Sequence, residues 1–182
     1  MLRLSLTFSE LPILSLRTGT EVAIIKRPLI NPDNLKIEGF YVEDLFDKKL
    51  NLILLTQDIR EILINGFAIN DHEVLTHPSE LHRLKKVIEN NLYPISKPVI
   101  TETRKRLGKL TEYAVDDQSF YIQKIYVSQS ILKNITGGSL ILDRSQIIDV
   151  TNSNIIVKDN HAMVSASAPQ PAWSENTVFI SE

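Results

Sequence analysis

The apolar residues of this 182-residue chain recur twice in the same order. Leu14 to Asp44 lies over Val99 to Gln129 without a gap, 85 residues apart. Val22 falls on Leu107, Ile25 on Leu110, Ile30 on Val115, Leu35 on Phe120, Ile37 on Ile122, Tyr41 on Tyr126 and Val42 on Val127. Three residues are then added in the second copy. At a spacing of 88, Leu52-Ile53-Leu54 meets Leu140-Ile141-Leu142, Ile59 meets Ile147 and Ile62 meets Val150. The match ends with Phe67-Ala68-Ile69-Asn70-Asp71 on Ile155-Ile156-Val157-Lys158-Asp159. Solenoid units run about 20–50 residues, so a period this long points to a duplicated small domain instead. Each copy covers about 70 residues, a size at which a lone core stabilises only marginally, so each is expected to lean on its neighbour or on a helix.

Within each copy the pattern predicts short strands. Leu2 to Phe8 alternates apolar and polar residues, which suits a half-buried strand outside the repeat, an added edge or partner-binding extension. Copy one reads as strands at 21–25, 35–43, 50–55 and 66–70, punctuated by turns at Pro28, Asn31-Pro32-Asp33-Asn34 and Asn65-Gly66. Copy two repeats this at 106–110, 120–127, 139–142 and 154–158, with turns at Asp116-Asp117 and Gly137-Gly138. Strands this short and evenly spaced suggest a curled or barrel-like sheet. Val22, Ile37, Tyr41, Leu54, Ile69, Leu107, Ile122, Tyr126, Leu142 and Val157 are the predicted core.

Between the copies the pattern changes to helical spacing. Pro78 suits a first helical position, Glu80 suits the first turn, and Leu81, Leu84, Val87 and Ile88 form one apolar stripe expected to pack on its own sheet. The helix is expected to end at Asn90-Asn91, with Pro94 to Pro98 as a stiff linker. Beyond Asn160 the 161–172 stretch, rich in alanine, serine and proline, reads as disordered. Trp173, Val178, Phe179 and Ile180 are bulky enough to dock on a sheet edge.

Composition removes whole classes of function. Cysteine is absent, so no disulfide, thiolate metal site, iron–sulfur cluster or cysteine nucleophile is available. The apolar runs fall far short of the roughly 20 residues of a membrane span, and Met1 to Leu16 makes no convincing signal peptide, so a cytoplasmic protein without membrane insertion is expected. A net charge of −2 gives no global attraction to nucleic acid, so any such role needs a local patch.

The repeated pattern resembles the PRC-barrel domain. The resemblance rests on Leu107-Gly108-Lys109-Leu110, Tyr113-Ala114-Val115-Asp116, Tyr121 to Val127, Leu140 to Ile147 and Ile155-Ile156-Val157, and on the same succession from Val22 to Ile69. Copy one departs in having Ala23 where the family often has the glycine that Gly108 supplies. The resemblance implies a mainly β architecture: two tandem small PRC-type β-barrels joined by one amphipathic α-helix, with a disordered C-terminal tail. The chain then divides into a strand extension (1–10), copy 1 (11–77), a connecting helix (78–93), copy 2 (94–160) and a flexible tail (161–182). The family mainly mediates contacts between macromolecules. It occurs in the H subunit of photosynthetic reaction centres and in the carboxy-terminal half of a small-subunit ribosome maturation factor, and it implies no catalytic residues.

Residue chemistry adds little to that expectation. His72, His77 and His82 recur every five residues, a spacing that does not put two imidazoles on one helical face as a zinc site needs. Asp71, His72 and Ser79 are the residue types of a hydrolytic triad, but no nucleophile-elbow glycines surround Ser79. No catalytic, cofactor or metal site is therefore assigned. The densest basic cluster is Arg104, Lys105, Arg106 and Lys109, with Tyr113, Tyr121 and Tyr126 in the same copy, a combination that can bind RNA through phosphates and stacked bases. The expected function is a non-enzymatic cytoplasmic adaptor or scaffold for protein partners, able to self-associate. A ribosome maturation or RNA-processing factor, contacting ribosomal protein or RNA, is the second expectation.

Overall fold

A computed structural model describes residues 1–128, 139–159 and 165–166 of the chain. Gly137-Gly138, most of the 161–172 spacer, and Trp173, Val178, Phe179 and Ile180 lie outside the described residues. The described chain is mainly β. It forms β1 (Leu2–Leu4), β2 (Pro12–Ser15), β3 (Glu21–Asn31), β4 (Lys36–Asp44), β5 (Asn51–Leu55), β6 (Ile59–Leu63), β7 (Gly66–Ile69) and the short helix α1 (Lys85–Asn90). Then follow β8 (Pro98–Thr101), β9 (Arg106–Asp116), β10 (Ile122–Ser128), β11 (Ser139–Asp143), β12 (Ile147–Val150), β13 (Ile155–Val157) and β14 (Ser165–Ala166). Within the spacer read as disordered, Ser165–Ala166 is thus a strand, paired antiparallel with β11.

Two sheets divide these strands. The first, in the order β5-β4-β3-β2-β7-β6, curls into a half-barrel. The second runs β12-β13-β8-β9-β10-β11-β14, with β1 added beside β9. Tyr41 faces Ile53 across β4 and β5, and Tyr126 faces Ile141 across β10 and β11. Ile59 faces Ile69, and Ile147 faces Val157. In the strand that opens each sheet the spacing is 86 rather than 85: Ile13 pairs with Ala23 and Phe67, whereas Val99 pairs with Gly108 and Ile155. The ungapped sequence match therefore slips by one residue there. The turn at 16–20 is one residue longer than the turn at 102–105, and a one-residue slip sends every side chain of a strand to the opposite face.

The two sheets are joined by a reciprocal pair of backbone bonds. Ile37 N–H donates to Phe120 O at 2.8 Å, and Ile122 N–H donates to Leu35 O at 2.9 Å, flanking the Lys36–Tyr121 bridge. Leu35 and Phe120 both have positive φ, 57° and 58°. One continuous core runs through the junction, and the Phe40 and Phe120 rings meet edge-on at 6.1 Å. The N-terminal strand lies on the second sheet, with Leu2 opposite Asp116 and Leu4 opposite Ala114, while the Met1 amino group reaches Asp117 Oδ1 at 2.7 Å. The chain then crosses back, and Phe8 is buried against Phe40 and Phe67 of the first sheet.

Three local expectations change. Residues 78–91 form two 3₁₀ turns, at 78–80 and 82–84, before the six-residue α1, rather than one helix. Leu81 at φ −85°, ψ 60° breaks the run, His77 Nδ1 caps the first turn by accepting from Ser79 N–H, and Asn91 ends α1 in the left-handed region. The stripe Leu81, Leu84, Val87 and Ile88 does pack on its own sheet, against Leu29, Tyr41 and Ile53, and that apolar contact outweighs helical regularity. Pro28 lies within β3 opposite Phe40 rather than in a turn, beyond Ile24, the last β3 residue in register with β2. Of the ten predicted core residues eight are buried; Leu107 and Tyr126 are only half-buried.

Candidate functional site

The β3–β4 and β9–β10 hairpin tips meet at the junction, so their opposite ends are the two extremities of the molecule. Each extremity carries the turn that opens its sheet, and the two turns differ in chemistry.

At the first extremity, buried polar groups hold an apolar rim. Asp44, 1% exposed, closes β4. It accepts from Phe46 N–H at 2.7 Å and Asp47 N–H at 3.4 Å, and its Oδ2 lies 2.8 Å from His72 Nε2. Burial pushes the Asp44 carboxyl up, but the Phe46 amide and the His72 ring more than offset this, leaving it below the usual carboxylate range. Asp71 is likewise raised by burial and lowered further by the His72 amide, Arg17 and Ser15, with a net depression. Ser15 Oγ donates to Asp71 Oδ1 at 3.2 Å, and Arg17 forms an ion pair with the same carboxylate. On this frame Phe46 stands 71% exposed, its ring 5.1 Å from the His72 ring, with Leu16 and Leu50 also exposed.

This cluster orders loops. The His72 ring pairs with Asp44, and the buried Ser15 hydroxyl is held by Asp71. Ser79 pairs with His77 Nδ1 at 2.7 Å, so Asp71, His72 and Ser79 do not converge. Among the described residues no group of three or more His, Asp or Glu is placed to hold a metal ion. The Asp44–His72 pair escaped the sequence reading because its members are 28 residues apart. The signal was an acid closing an apolar strand just before an apolar pair, Leu45-Phe46, in a turn.

At the second extremity the turn is basic. Arg104, Lys105 and Arg106 are exposed, as is Lys109 further along β9, and none forms an ion pair with another described residue. Arg104, at φ 64°, donates its amide to Thr101 O at 2.9 Å, and Thr103 Oγ1 donates to Asp159 at 2.7 Å, so the turn is held at its base. The aromatic companions are elsewhere. Tyr113 is 3% exposed in the core, and burial pushes its phenol well above the ordinary range. Tyr121 lies under Arg144, 4.2 Å from guanidinium to ring centre, near the junction. Tyr126 is on the outer face of the second sheet, opposite Glu112 and Ile141.

A groove of about 460 Å³ separates Lys36, Glu38 and Leu55 from the 80–84 segment, lined by charged and apolar groups alike. No helix among the described residues is long and apolar enough to cross a membrane. No protein-family model matches the chain, and no curated protein is significantly similar to it in sequence.

Proposed function

We propose that this chain is a non-enzymatic cytoplasmic adaptor built from two tandem PRC-type barrels, which links protein partners through its two extremities. The observation that carries the reading is the exposed rim of Leu16, Phe46 and Leu50 beside the buried Asp44, whose carboxylate accepts from the Phe46 amide and pairs with the half-buried His72 ring. Large apolar side chains kept in water on an ordered frame suit a protein interface, where an aromatic anchor contributes most of the affinity. The matching ladders of the two sheets support the duplicated reading. Two linked binding ends would act bivalently, gaining affinity from effective concentration without new contacts.

The test is capture of partners from the native cell by the full chain and by Phe46→Ser. Partners held by the parent and lost by the variant support the adaptor; an unchanged set removes the rim from the interface. A second reading, contact with RNA or a ribosomal particle, is favoured by four exposed cations, in and beside one turn, that form no ion pair with another described residue. Reversing Arg104, Lys105 and Arg106 to Glu should then abolish capture of RNA, and affinity should fall steeply with salt. Nuclease treatment of the captured material separates the two readings.

A further inference from the structure

The strongest unassigned feature is the outer face of the second sheet, which becomes informative beside its counterpart. In the first sheet the row Arg27–Tyr41–Ile53 runs across β3, β4 and β5. It is covered by the 78–91 segment: Tyr41 is 6% exposed and Ile53 0%. The path to that cover is defined. After β7 the chain returns antiparallel to β5, with Ile53 and Thr76 exchanging backbone bonds of 2.9 and 3.0 Å, and then turns onto the face.

The second sheet repeats this path up to the same point. Its row Glu112–Tyr126–Ile141 stands where Arg27–Tyr41–Ile53 stands in the first. After β13 the chain again returns to the edge strand, pairing Ser165 with Leu140 and Ala166 with Ser139. Moved by the 88 residues that separate Ile53 from Ile141, the Ile53–Thr76 pair falls on this same antiparallel register. Yet Tyr126 and Ile141 remain half-exposed, and Leu2 and Leu4 on the same sheet are 47% and 40% exposed. The residues that follow Ala166 are 167–182, about as many as cover the first sheet, and they carry Trp173, Val178, Phe179 and Ile180.

We infer that residues 167–182 cover the outer face of the second sheet in the same chain, with Trp173 seated over Tyr126 and Ile141. Reach is no obstacle. Seven residues from Ala166 to Trp173 span up to about 24 Å, whereas crossing from β11 over β10 to β9 takes about 10 Å. Chemistry fits as well: the indole adds a large apolar surface to an apolar row and keeps an N–H for the polar groups beside it. Being tethered, the segment needs little intrinsic affinity to stay seated. This inference stands on the two registers and holds whether or not the chain is an adaptor.

Trp173 is the only tryptophan in these 182 residues, so its emission reports the contact directly. In the full chain the emission should be blue-shifted and poorly quenched by acrylamide, at all protein concentrations. Ile141→Ser and Tyr126→Ser should each shift it red and raise the quenching constant several-fold. Phe179→Ser changes no residue of the described strands, and it should act in the same direction; far-ultraviolet circular dichroism checks that all three variants keep their strands. A solvent-like emission in the parent overturns the proposal. So does a buried tryptophan indifferent to Ile141 and Tyr126, or a blue shift lost on dilution, which would make a second copy the occupant.

Discussion

The outer faces of the two sheets have the same backbone and opposite surroundings. On the first, Arg27 stacks over Tyr41 at 3.7 Å, its guanidinium donates to Asn91 Oδ1 at 2.7 Å, and the apolar stripe of the 78–91 segment closes over both. On the second, Glu112 occupies the Arg27 position and is drawn to the edge, where its Oε1 accepts from Ser5 N–H at 3.0 Å. Equivalent tyrosines therefore differ in burial because of what was added outside the strands. A ladder fixes which residues share a face; the burial of that face is decided by segments that belong to no ladder.

The largest expected effect tests this difference directly. Ile53→Ala, at a fully buried position, should cost about 3–4 kcal/mol in chemical denaturation, while Ile141→Ala, half-exposed among the strands and covered only by the inferred 167–182 segment, should cost about 2 kcal/mol. Equal losses would mean that the second face is as closely packed as the first.

Gly108 sharpens the comparison from the inside. A Cβ there would stand 1.8 Å from Ser128 O, a backbone atom that cannot move without parting β9 from β10. Its counterpart in the first sheet is Ala23, fully buried and opposite Asp44. Gly108→Ala should therefore cost about 2–3 kcal/mol, whereas Ala23→Gly should cost about 1 kcal/mol, both read as shifts in denaturation midpoint. A neutral Gly108→Ala would show that the strands part freely at that point.

Acid should weaken the first sheet at the Asp44 end of β4. The folded Asp44 carboxyl has a depressed pKa, so the unfolded chain binds more protons as pH falls through the ordinary carboxylate range near about 3.9. The stability it contributes is complete above that range and disappears as pH drops through the folded value. Asp44→Asn should cost about 1–3 kcal/mol at neutral pH, by weakening the amide and imidazole contacts, and much less at low pH. Gln129 stands 85 residues on from Asp44 and carries no titrating acid, so hydrogen exchange below the ordinary carboxylate range should rise more at the Asp44 end of β4 and β5 than at the corresponding end of β10 and β11.

The smallest effect is expected at Arg27. Arg27→Ala removes the stacking on Tyr41 and the bond to Asn91, and should cost about 1 kcal/mol, seen as faster exchange within α1. Exchange in β10 and β11 should not change.

The strands were legible because apolar positions such as Ile37, Tyr41 and Leu54 recur in Ile122, Tyr126 and Leu142. The one-residue slip between Leu14 and Ile100 was not, because turns of five and four residues carry no apolar marker. The placement of β1 on the distant second sheet was hidden for a related reason: alternation in Leu2 to Phe8 names no neighbour, and it overstates the strand, which ends at Leu4 where Ser5–Phe8 turns as a 3₁₀ helix. The 78–91 segment shows the opposite limit. Its stripe is spaced for a helix and packs as expected, yet contact with Tyr41 and Ile53 does not require a regular helix to hold it. Of the candidate site, the basic turn was visible as a run of charges. The Asp44–His72 frame and the exposed Phe46 came into view only when β4 and the 72–74 turn were brought side by side.

The paired bonds from Ile37 to Phe120 and from Ile122 to Leu35 make a contact in which each side offers the other what it receives. Such a contact is isologous, so it can be specified by a single sequence meeting itself across a two-fold axis. Two separate copies of such a hairpin tip could meet through the same pair of backbone bonds. Joining two such copies end to end makes the dimer unimolecular and independent of concentration. It also frees each half from having to match the other, and a change such as Arg27 in one and Glu112 in the other, forbidden to a homodimer, then becomes available to selection.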